Sequence, residues 1–288
     1  MPSTKDIRRR IKSIKSTRQI TKAMELVAAA KMRRAQQQAL ATRTYAALAW
    51  ELIQNLSKQT DPRIHKLLRR TSEFKNTAVL LITSNRGLIG GFNNNIVNAA
   101  RHFAKDAGSV EFITLGKKGR DAARKGGFLI AAAFEKRDAL PSDADIRPTS
   151  KLLIEDFVNG KYGRVVMVYM DYISTLVQKP RVKQLLPFTG NLSPYGESSA
   201  GRQLTDYLFE PTPDQVLEVL LPRLTEMQIY QALLETNAAE HSARMVAMKN
   251  ASDAASDLTS ELTLEYNQLR QEAITKEISE IVAGQLAL

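Results

Sequence analysis

Apolar and small residues recur at steps of three and four along both ends of the chain, over residues 7–56 and again over 224–281. This spacing is that of an amphipathic α-helix. No proline or glycine interrupts residues 3–61, and none lies between Pro222 and Gly284. The first stretch therefore predicts one helix of about 50 residues, roughly 75 Å long, and the second predicts another long helix.

The apolar seams of both helices repeat with a period near 3.5 residues, which is typical of coiled coils. Because the helices lie at opposite ends of one chain, the sequence predicts that they pair as an antiparallel coiled coil. The seam is weaker than that of a self-sufficient coiled coil, because polar residues lie at or beside its positions. These residues are Arg18, Thr21, Lys31, Thr42, Asn237 and Ser252. We therefore expect part of the rod to lie inside a larger partner.

The middle of the chain changes to short apolar runs separated by helix-like stretches. The runs predict β-strands over 78–83, 110–116, 128–134, 164–170 and 181–188, and the intervening stretches predict helices such as 93–107 and 152–163. This alternation predicts a mostly parallel sheet covered by helices, with the last strand in an antiparallel hairpin. The expected fold class is a Rossmann-like α/β domain combined with a long coiled coil.

The expected domain organisation follows from these patterns. Residues 1–60 form the N-terminal coiled-coil helix, 61–213 form the α/β domain, and 214–288 form the C-terminal coiled-coil helix. Within the middle domain, residues 189–213 are rich in Gly, Ser and Pro, and they predict a surface connection to the last helix.

Charge is distributed unevenly along the chain, whose net charge is +11. Residues 1–60 hold thirteen basic and three acidic side chains, whereas residues 214–288 hold five basic and twelve acidic ones. The two predicted helices thus carry net charges of +10 and −7, and this opposition favours their pairing.

Composition excludes several kinds of site. The chain has no cysteine, so a disulfide or a thiolate metal site is impossible, and its three scattered histidines make a histidine-built metal site unexpected. No apolar run approaches the roughly 20 residues that a membrane span needs, and the N-terminus lacks a signal-like apolar core. We expect no metal, no cofactor and no direct membrane insertion.

The glycine-rich stretch TSNRGLIGGFNNN at 83–95 has the layout of a phosphate-binding loop, because it follows an apolar strand and precedes a helix. The P-loop pattern needs a second glycine five residues after Gly87, followed by Lys and a hydroxyl residue, but Phe92 stands there and neither residue follows it. The dinucleotide pattern needs glycines at positions 89 and 92, where Ile89 and Phe92 stand. We expect Gly90 and Gly91 to permit a tight turn, with Asn93 or Asn94 capping the next helix. No nucleophile elbow or HExxH zinc motif is present either, so no catalytic residue is predicted.

Four stretches together resemble the γ subunits of F-type ATP synthases. They are DIRRRIKSIKSTRQITKAMELVAAAKMRRA (6–35), TSNRGLIGGFNNN (83–95), HSARMVAMKNASDAASDL (241–258) and LEYNQLRQEAITKEISEIVAGQLAL (264–288). The resemblance implies a central rotor shaft with a coiled coil above an α/β foot. It implies a ring of three α and three β subunits around the upper coiled coil, and an ε subunit and a membrane c ring at the foot.

The resemblance also implies partner-contact residues for this chain. Met24 would face an acidic lever loop of β, together with Lys22, Lys31, Arg33 and Arg34. The turn that includes Arg86, Gly87, Ile89 and Gly90 would approach a β lever from the side. The residues that would bond the β catch loop, and neighbouring parts of the sleeve that the α and β ring forms around the shaft, are Arg270, Gln271, Thr275 and Glu277. Arg244 would belong to the same coupling surface. The alternative for Met24 is a residue of the helix seam, and for Arg270 and Gln271 it is a solvated helix face.

Departures from the family pattern add two expectations. Photosynthetic members carry a regulatory cysteine pair, which this chain lacks, so thiol control of rotation is not expected. Ile89 stands where many bacterial members have Cys. The N-terminus shows no transit peptide, which favours a bacterial protein located peripherally on the cytoplasmic face of the plasma membrane.

Three other functions stay open at this point. A basic coiled coil could bind nucleic acid, although aromatic residues for base stacking are absent from residues 1–44 and we expect no nucleic-acid partner. A self-assembling coiled coil would need a regular Leu/Ile seam. A nucleotide-binding enzyme would need the glycine-rich stretch to bind phosphate.

Overall fold

The computed structural model describes residues 3–59, 65–68, 76–137, 141–188 and 212–286. The elements in chain order are α1 (Thr4–Gln59), β1 (Thr77–Ile82), α2 (Phe92–Asp106), β2 (Val110–Leu115), α3 (Lys117–Lys125), β3 (Leu129–Phe134), α4 (Asp143–Val158), β4 (Arg164–Tyr172), β5 (Gln178–Leu186) and α5 (Pro213–Leu286). The two predicted long helices are confirmed, at 56 residues for α1 and 74 residues for α5.

The chain divides into two compact units. One unit joins the start of α1, up to Ala29, to the part of α5 from Arg244 onward, and the other contains Ala30–Ala243. In the second unit α1 contacts α5 where Thr42 Oγ1 donates to Gln231 Oε1 at 2.6 Å. Earlier residues of α1 thus pair with later residues of α5, so the two helices run antiparallel, as predicted.

The seam of the first unit contains both apolar and polar side chains. Ile7 is 1% exposed and Ala28 is 2% exposed, while Thr21 and Ser252 are also buried. Small and polar residues of this kind let helices approach closely but bury little apolar area. The polar positions identified at Thr21 and Ser252 therefore belong to the interior of the helix pair, whereas Arg18 and Lys31 are exposed.

Five strands form one sheet in the order β3-β2-β1-β4-β5. The pairs β3·β2, β2·β1 and β1·β4 are parallel, and β4·β5 is antiparallel. The predicted mostly parallel sheet with a final hairpin is confirmed. The central strand β1 is buried along its whole length, which agrees with its continuous apolar run TAVLLI.

Helices cover both faces of the sheet. Because side chains alternate along a strand, Leu80 and Ile82 face a core formed with α4 and the first part of α5, while Val79 and Leu81 face a core formed with α2 and α3. The carboxyl ends of the parallel strands, including the glycine-rich stretch after β1, lie at one edge of this three-layer domain.

The predicted boundaries of one helix are wrong. The helix predicted over 152–163 spans Asp143–Val158, because Ser142 and Asp145 start it earlier and Gly160, with φ of +76°, follows its end. The last helix begins at Pro213, one residue before the predicted start at 214, and it contains Pro222. Apart from its last two residues, the predicted connection over 189–213 lies outside the described residues.

Candidate functional site

The glycine-rich stretch after β1 forms a turn that leads directly into α2. Leu88 and Gly90 both adopt positive φ, at 62° and 57°, so the chain reverses tightly between β1 and α2. Arg86 and Gly87 are exposed on this turn, whereas the side chain of Ile89 is only 3% exposed and packs in the core beside α2. The positive φ expected at Gly90 is confirmed, but Gly91, for which it was also expected, has φ of −79°. Any partner would meet the turn through its outer residues.

Asparagine side chains hold the turn from inside. Asn93 Oδ1 accepts from the backbone N–H of Ser84 at 3.2 Å, and Asn93 Nδ2 donates to Ser84 Oγ at 2.8 Å. The expectation that Asn93 or Asn94 caps α2 is wrong, because α2 begins at Phe92 with Gly91 as its N-cap. Asn93 already lies within the first turn of the helix, and its side chain reaches back to Ser84, two residues after β1.

The basic residues of α1 that the sequence identified are mostly on its surface. Lys22, Lys31, Arg33 and Arg34 are exposed, and Met24 is half-buried. Lys22 Nζ lies 3.0 Å from Glu25 Oε2, one turn along the same helix, and such surface pairs contribute little to stability. Met24 is thus in a position to contribute to the helix seam while one side stays accessible.

The end of α5 presents polar and apolar side chains together. Arg270, Gln271, Thr275 and Glu277 are all exposed, and Thr275 Oγ1 donates to the backbone carbonyl of Gln271 at 2.9 Å. Large aliphatic side chains are exposed on the same stretch, at Ile274, Ile278, Ile281 and Val282. Arg244, where α5 enters the compact unit that it forms with the start of α1, is half-buried. A helix with exposed aliphatic residues over several turns is typical of a protein-contact surface.

Within the described ranges, no group of His, Cys, Asp and Glu side chains is arranged to hold a metal ion. Over the same ranges, no helix carries an apolar stretch sufficient to cross a bilayer.

Residues 3–288 match the sequence model of the ATP synthase family. The chain is 42% identical to the ATP synthase gamma chain of Roseiflexus castenholzii, over 100% of this chain and 99% of the relative. It is 43% identical to the gamma chain of Pelotomaculum thermopropionicum, with all of both chains covered. The chain belongs to the ATP synthase gamma chain family.

Solved structures have the fold of this gamma chain family member. A chain in the Euglena gracilis mitochondrial ATP synthase, in a structure of OSCP, F1 and c-ring, matches with a TM-score of 0.69 and 21% identity, covering 99% of this chain and 94% of that one. A chain of the central stalk and c-ring of the Tetrahymena thermophila mitochondrial enzyme matches with a TM-score of 0.59 and 22% identity, covering 81% and 99%. The pairing of long terminal helices with a mixed five-stranded sheet is therefore the fold shared with these chains.

Sequence reasoning about this gamma chain family member missed two buried polar contacts. Gln231, whose amide also donates to the carbonyl of Ala39 at 3.3 Å, was not identified as the partner of Thr42. The ion pair of Lys136 with Glu240 joins residues 104 apart in sequence. No local pattern marks such a pair, because a lysine in a polar loop looks the same whether it is buried or solvated.

Proposed function

We propose that this chain is the central rotor shaft of an F-type ATP synthase, without catalytic residues of its own. In this role it couples ion-driven rotation of a membrane c ring to the conformational cycle of the β catalytic sites, and it turns in reverse during hydrolysis. The observation that carries the proposal is membership of the gamma chain family over the full length. The partners are three α and three β subunits around one copy of the chain, an ε subunit and the c ring.

The mechanism depends on asymmetry. A single shaft inside three identical β subunits presents a different surface to each, so its angle decides which catalytic site is open. Reversing the open fraction of one site from 1:99 to 99:1 requires about 5.5 kcal/mol of differential contact energy. Hydrogen bonds to charged groups contribute about 1.5–3 kcal/mol each, so two or three directional contacts between shaft and sleeve are sufficient.

The exposed basic residues of α1 suit the first of these contacts. Lys22, Lys31, Arg33 and Arg34 would attract an acidic lever loop of β, and the accessible side of Met24 would contact it. Long basic side chains can place their charge on a partner while their aliphatic stems cover apolar surface. Rotation would carry this patch from one β subunit to the next.

The end of α5 suits a contact higher in the sleeve. Arg270 and Gln271 would bond the β catch loop, with Thr275 and Glu277 contacting neighbouring parts of the sleeve and Arg244 acting on the same coupling surface. The exposed aliphatic residues between and beyond them, such as Ile274 and Ile278, would be covered by the sleeve. A helix exposed on all sides is marginal in water, so a surrounding partner would also stabilise it.

The glycine-rich turn would touch a β lever from the side through Arg86, Gly87 and Gly90. Ile89 would support the turn from within the core rather than meet the partner directly. In this arrangement residues 1–60 and 214–288 form the shaft and 61–213 form the foot. The foot would place the chain peripherally at the cytoplasmic face of a bacterial plasma membrane.

Reconstitution with cognate α and β subunits tests this proposal. The chain is mixed with both subunits from the same organism, the complex is isolated, and its stoichiometry and ATPase rate are measured. We expect one copy of the chain per three α and three β. The double variant Arg270→Ala/Gln271→Ala should lower the ATPase rate of the complex, because two directional contacts to the sleeve are removed.

A matched control is Arg124→Ala/Lys125→Ala, which changes two exposed residues on the foot and should leave the rate unchanged. Absence of a complex with cognate subunits, or ATPase activity in this chain alone, would contradict the proposal.

A further inference from the structure

The part of α5 between Ile229 and Ser242 is enclosed by the rest of its compact unit. Every residue in this stretch is buried or half-buried, including polar ones such as Thr236 and Asn237. Apolar contacts around a helix are non-directional, so they do not by themselves determine the angle of the helix about its own axis. Directional polar contacts are needed to determine that angle.

One directional contact comes from the segment after β3. Lys136 Nζ donates to Asn237 Oδ1 at 2.7 Å and also to Glu240 Oε2. The side chains of Lys136 and Glu240 are only 5% and 8% exposed. Asn237 and Glu240 are three residues apart on one face of the helix, so a single ammonium group bonds two successive positions of that face.

The glycine-rich turn anchors this lysine to the sheet. Asn85 Nδ2 donates to the backbone carbonyl of Lys136, and Asn85 Oδ1 accepts from the backbone N–H of Lys117 at 3.2 Å. The ammonium group therefore belongs to a network that joins the carboxyl ends of β1, β2 and β3. Glu240 of α5 is thereby connected to the ends of three strands rather than to one loop.

A second directional contact comes from the opposite edge of the sheet, in the β4–β5 hairpin. Ser242 Oγ donates to the carbonyl of Thr175 at 2.6 Å and accepts from Gln178 Nε2 at 3.4 Å. Ser242 follows Glu240 by two residues, which corresponds to a rotation of roughly 200° around an α-helix. The two contacts thus hold nearly opposite faces of the same turn of α5.

We infer that these contacts form a polar clamp, made of Lys136, Asn237, Glu240, Thr175 and Ser242, which fixes the angle of α5 and passes torque between the α/β domain and the shaft. The torque-passing role rests on the proposed rotor function, whereas the fixing of the angle does not. A buried ion pair often adds little to stability, but it can select one arrangement of a helix among several that bury similar apolar surface. Opposed contacts on two faces resist rotation in both directions, as synthesis and hydrolysis both require.

Distance measurements on the isolated full chain test the fixing of the angle. The chain has no cysteine, so Lys125→Cys and Lys249→Cys, both at exposed positions, introduce two spin labels, one on α3 and one on α5 beyond the clamp. In this labelled chain we compare Lys136→Met/Glu240→Met, which removes both charges of the ion pair, with the parent. We expect double electron–electron resonance to show a broadened or shifted distance distribution for the clamp variant.

Two further variants separate this effect from a loss of charge or of stability. Lys151→Met/Glu155→Met removes an exposed pair of the same domain and should keep the parent distribution. The swap Lys136→Glu/Glu240→Lys should restore a narrow distribution, since the Asn237 amide can accept or donate. Ser242→Ala removes the contact on the opposite face of α5. It replaces Lys136→Met/Glu240→Met in the distance measurement if that variant does not fold. A parent-like distribution in a folded clamp variant would overturn the inference.

Coupling in the assembled enzyme tests the torque. The holoenzyme carrying the clamp variant is placed in proteoliposomes, and ion pumping is measured against ATP hydrolysed. We expect hydrolysis to continue with a loss of pumping per ATP, and the exposed-pair variant to match the parent. If the clamp variant has a broadened distance distribution but pumps as many ions per ATP as the parent, the torque role is overturned. If the parent chain itself forms no complex, the rotor proposal fails while the distance result stands.

Discussion

Thr83, at the carboxyl end of β1, is the residue against which two glycines pack. Its hydroxyl accepts from the backbone N–H of Gly119 at 2.8 Å, and its backbone N–H donates to the carbonyl of Leu115 at 2.9 Å. Gly116 adopts φ of +115°, and a Cβ added there would lie 2.5 Å from the carbonyl oxygen of Thr83. The close approach of β1 to the start of α3 therefore depends on glycine at this position.

Gly116→Ala should destabilise the chain by about 2–3 kcal/mol, because both the positive φ and the contact with rigid backbone must be relieved. Chemical denaturation measures the difference. Gly87→Ala is the matched control, since nothing lies within 4 Å of a Cβ added there. An equal loss of stability in the two variants would contradict this explanation.

Lys183 on β5 makes the stability of the chain depend on pH. Burial lowers the pKa of Lys183 to about 8, with Glu235 opposing the shift and Arg181 adding to it. Between this pKa and the ordinary value of 10.5 the unfolded chain holds a proton that the folded chain has released. The free energy of unfolding should therefore rise with pH across this window.

Lys183→Met should raise the free energy of unfolding at neutral pH by about 1–3 kcal/mol and flatten its rise between about pH 8 and pH 10. Denaturant unfolding at several pH values measures both effects. Tyr162, whose pKa burial raises to about 12, titrates above this window. Lys179→Met, at an exposed position on the same strand, should leave the slope unchanged, and an unchanged slope in Lys183→Met would exclude Lys183 as its source.

At the scale of elements, α4 shows how a short polar signal sets a helix boundary. Ser142 donates to Asp145 Oδ2 through its backbone N–H and its hydroxyl, both at 2.9 Å. The apolar period alone indicated a start near residue 152, because the first turns of α4 carry few large apolar side chains. The long helices were easier to predict, since their periodicity continues over many turns without an interrupting residue.

Asp145→Ala should cost about 1 kcal/mol, since it leaves the first turn of α4 without its carboxylate partner. The hydrogen bonds from Ser142 lower the pKa of Asp145, so this contribution is present at neutral pH and is lost as pH falls through that pKa. Thermal unfolding at neutral and acidic pH measures it. Glu155→Ala, which removes an exposed partner of Lys151, should cost under about 0.5 kcal/mol.

At the scale of the whole molecule, burial is distributed unequally along α5. Its stretch 229–242 is enclosed in the larger unit, whereas residues 270–282 are all exposed. Local stability follows the density of buried contacts, so one continuous helix should contain regions that open with very different free energies. The exposed region would acquire its stability from the sleeve of partner subunits.

Hydrogen exchange measures this difference. In the isolated chain, amides of 270–282 should exchange at least about tenfold faster than those of 229–242. Addition of cognate α and β subunits should slow exchange over 270–282 and leave 229–242 nearly unchanged, which makes the buried stretch an internal control. Equal protection of both stretches in the isolated chain would show that the end of α5 is stable without a partner.

The sequence by itself determined the two long helices, the five strands, the antiparallel final hairpin and the family. Each of these depends on local periodicity or on contiguous motifs, which are visible without knowing what lies nearby in space. Only the tertiary structure decided that Ile89 is buried, that Asn93 reaches back to Ser84, and that Lys136 pairs with Glu240. These features depend on where side chains from distant segments meet, and the packing of the sheet against α5 determines that geometry.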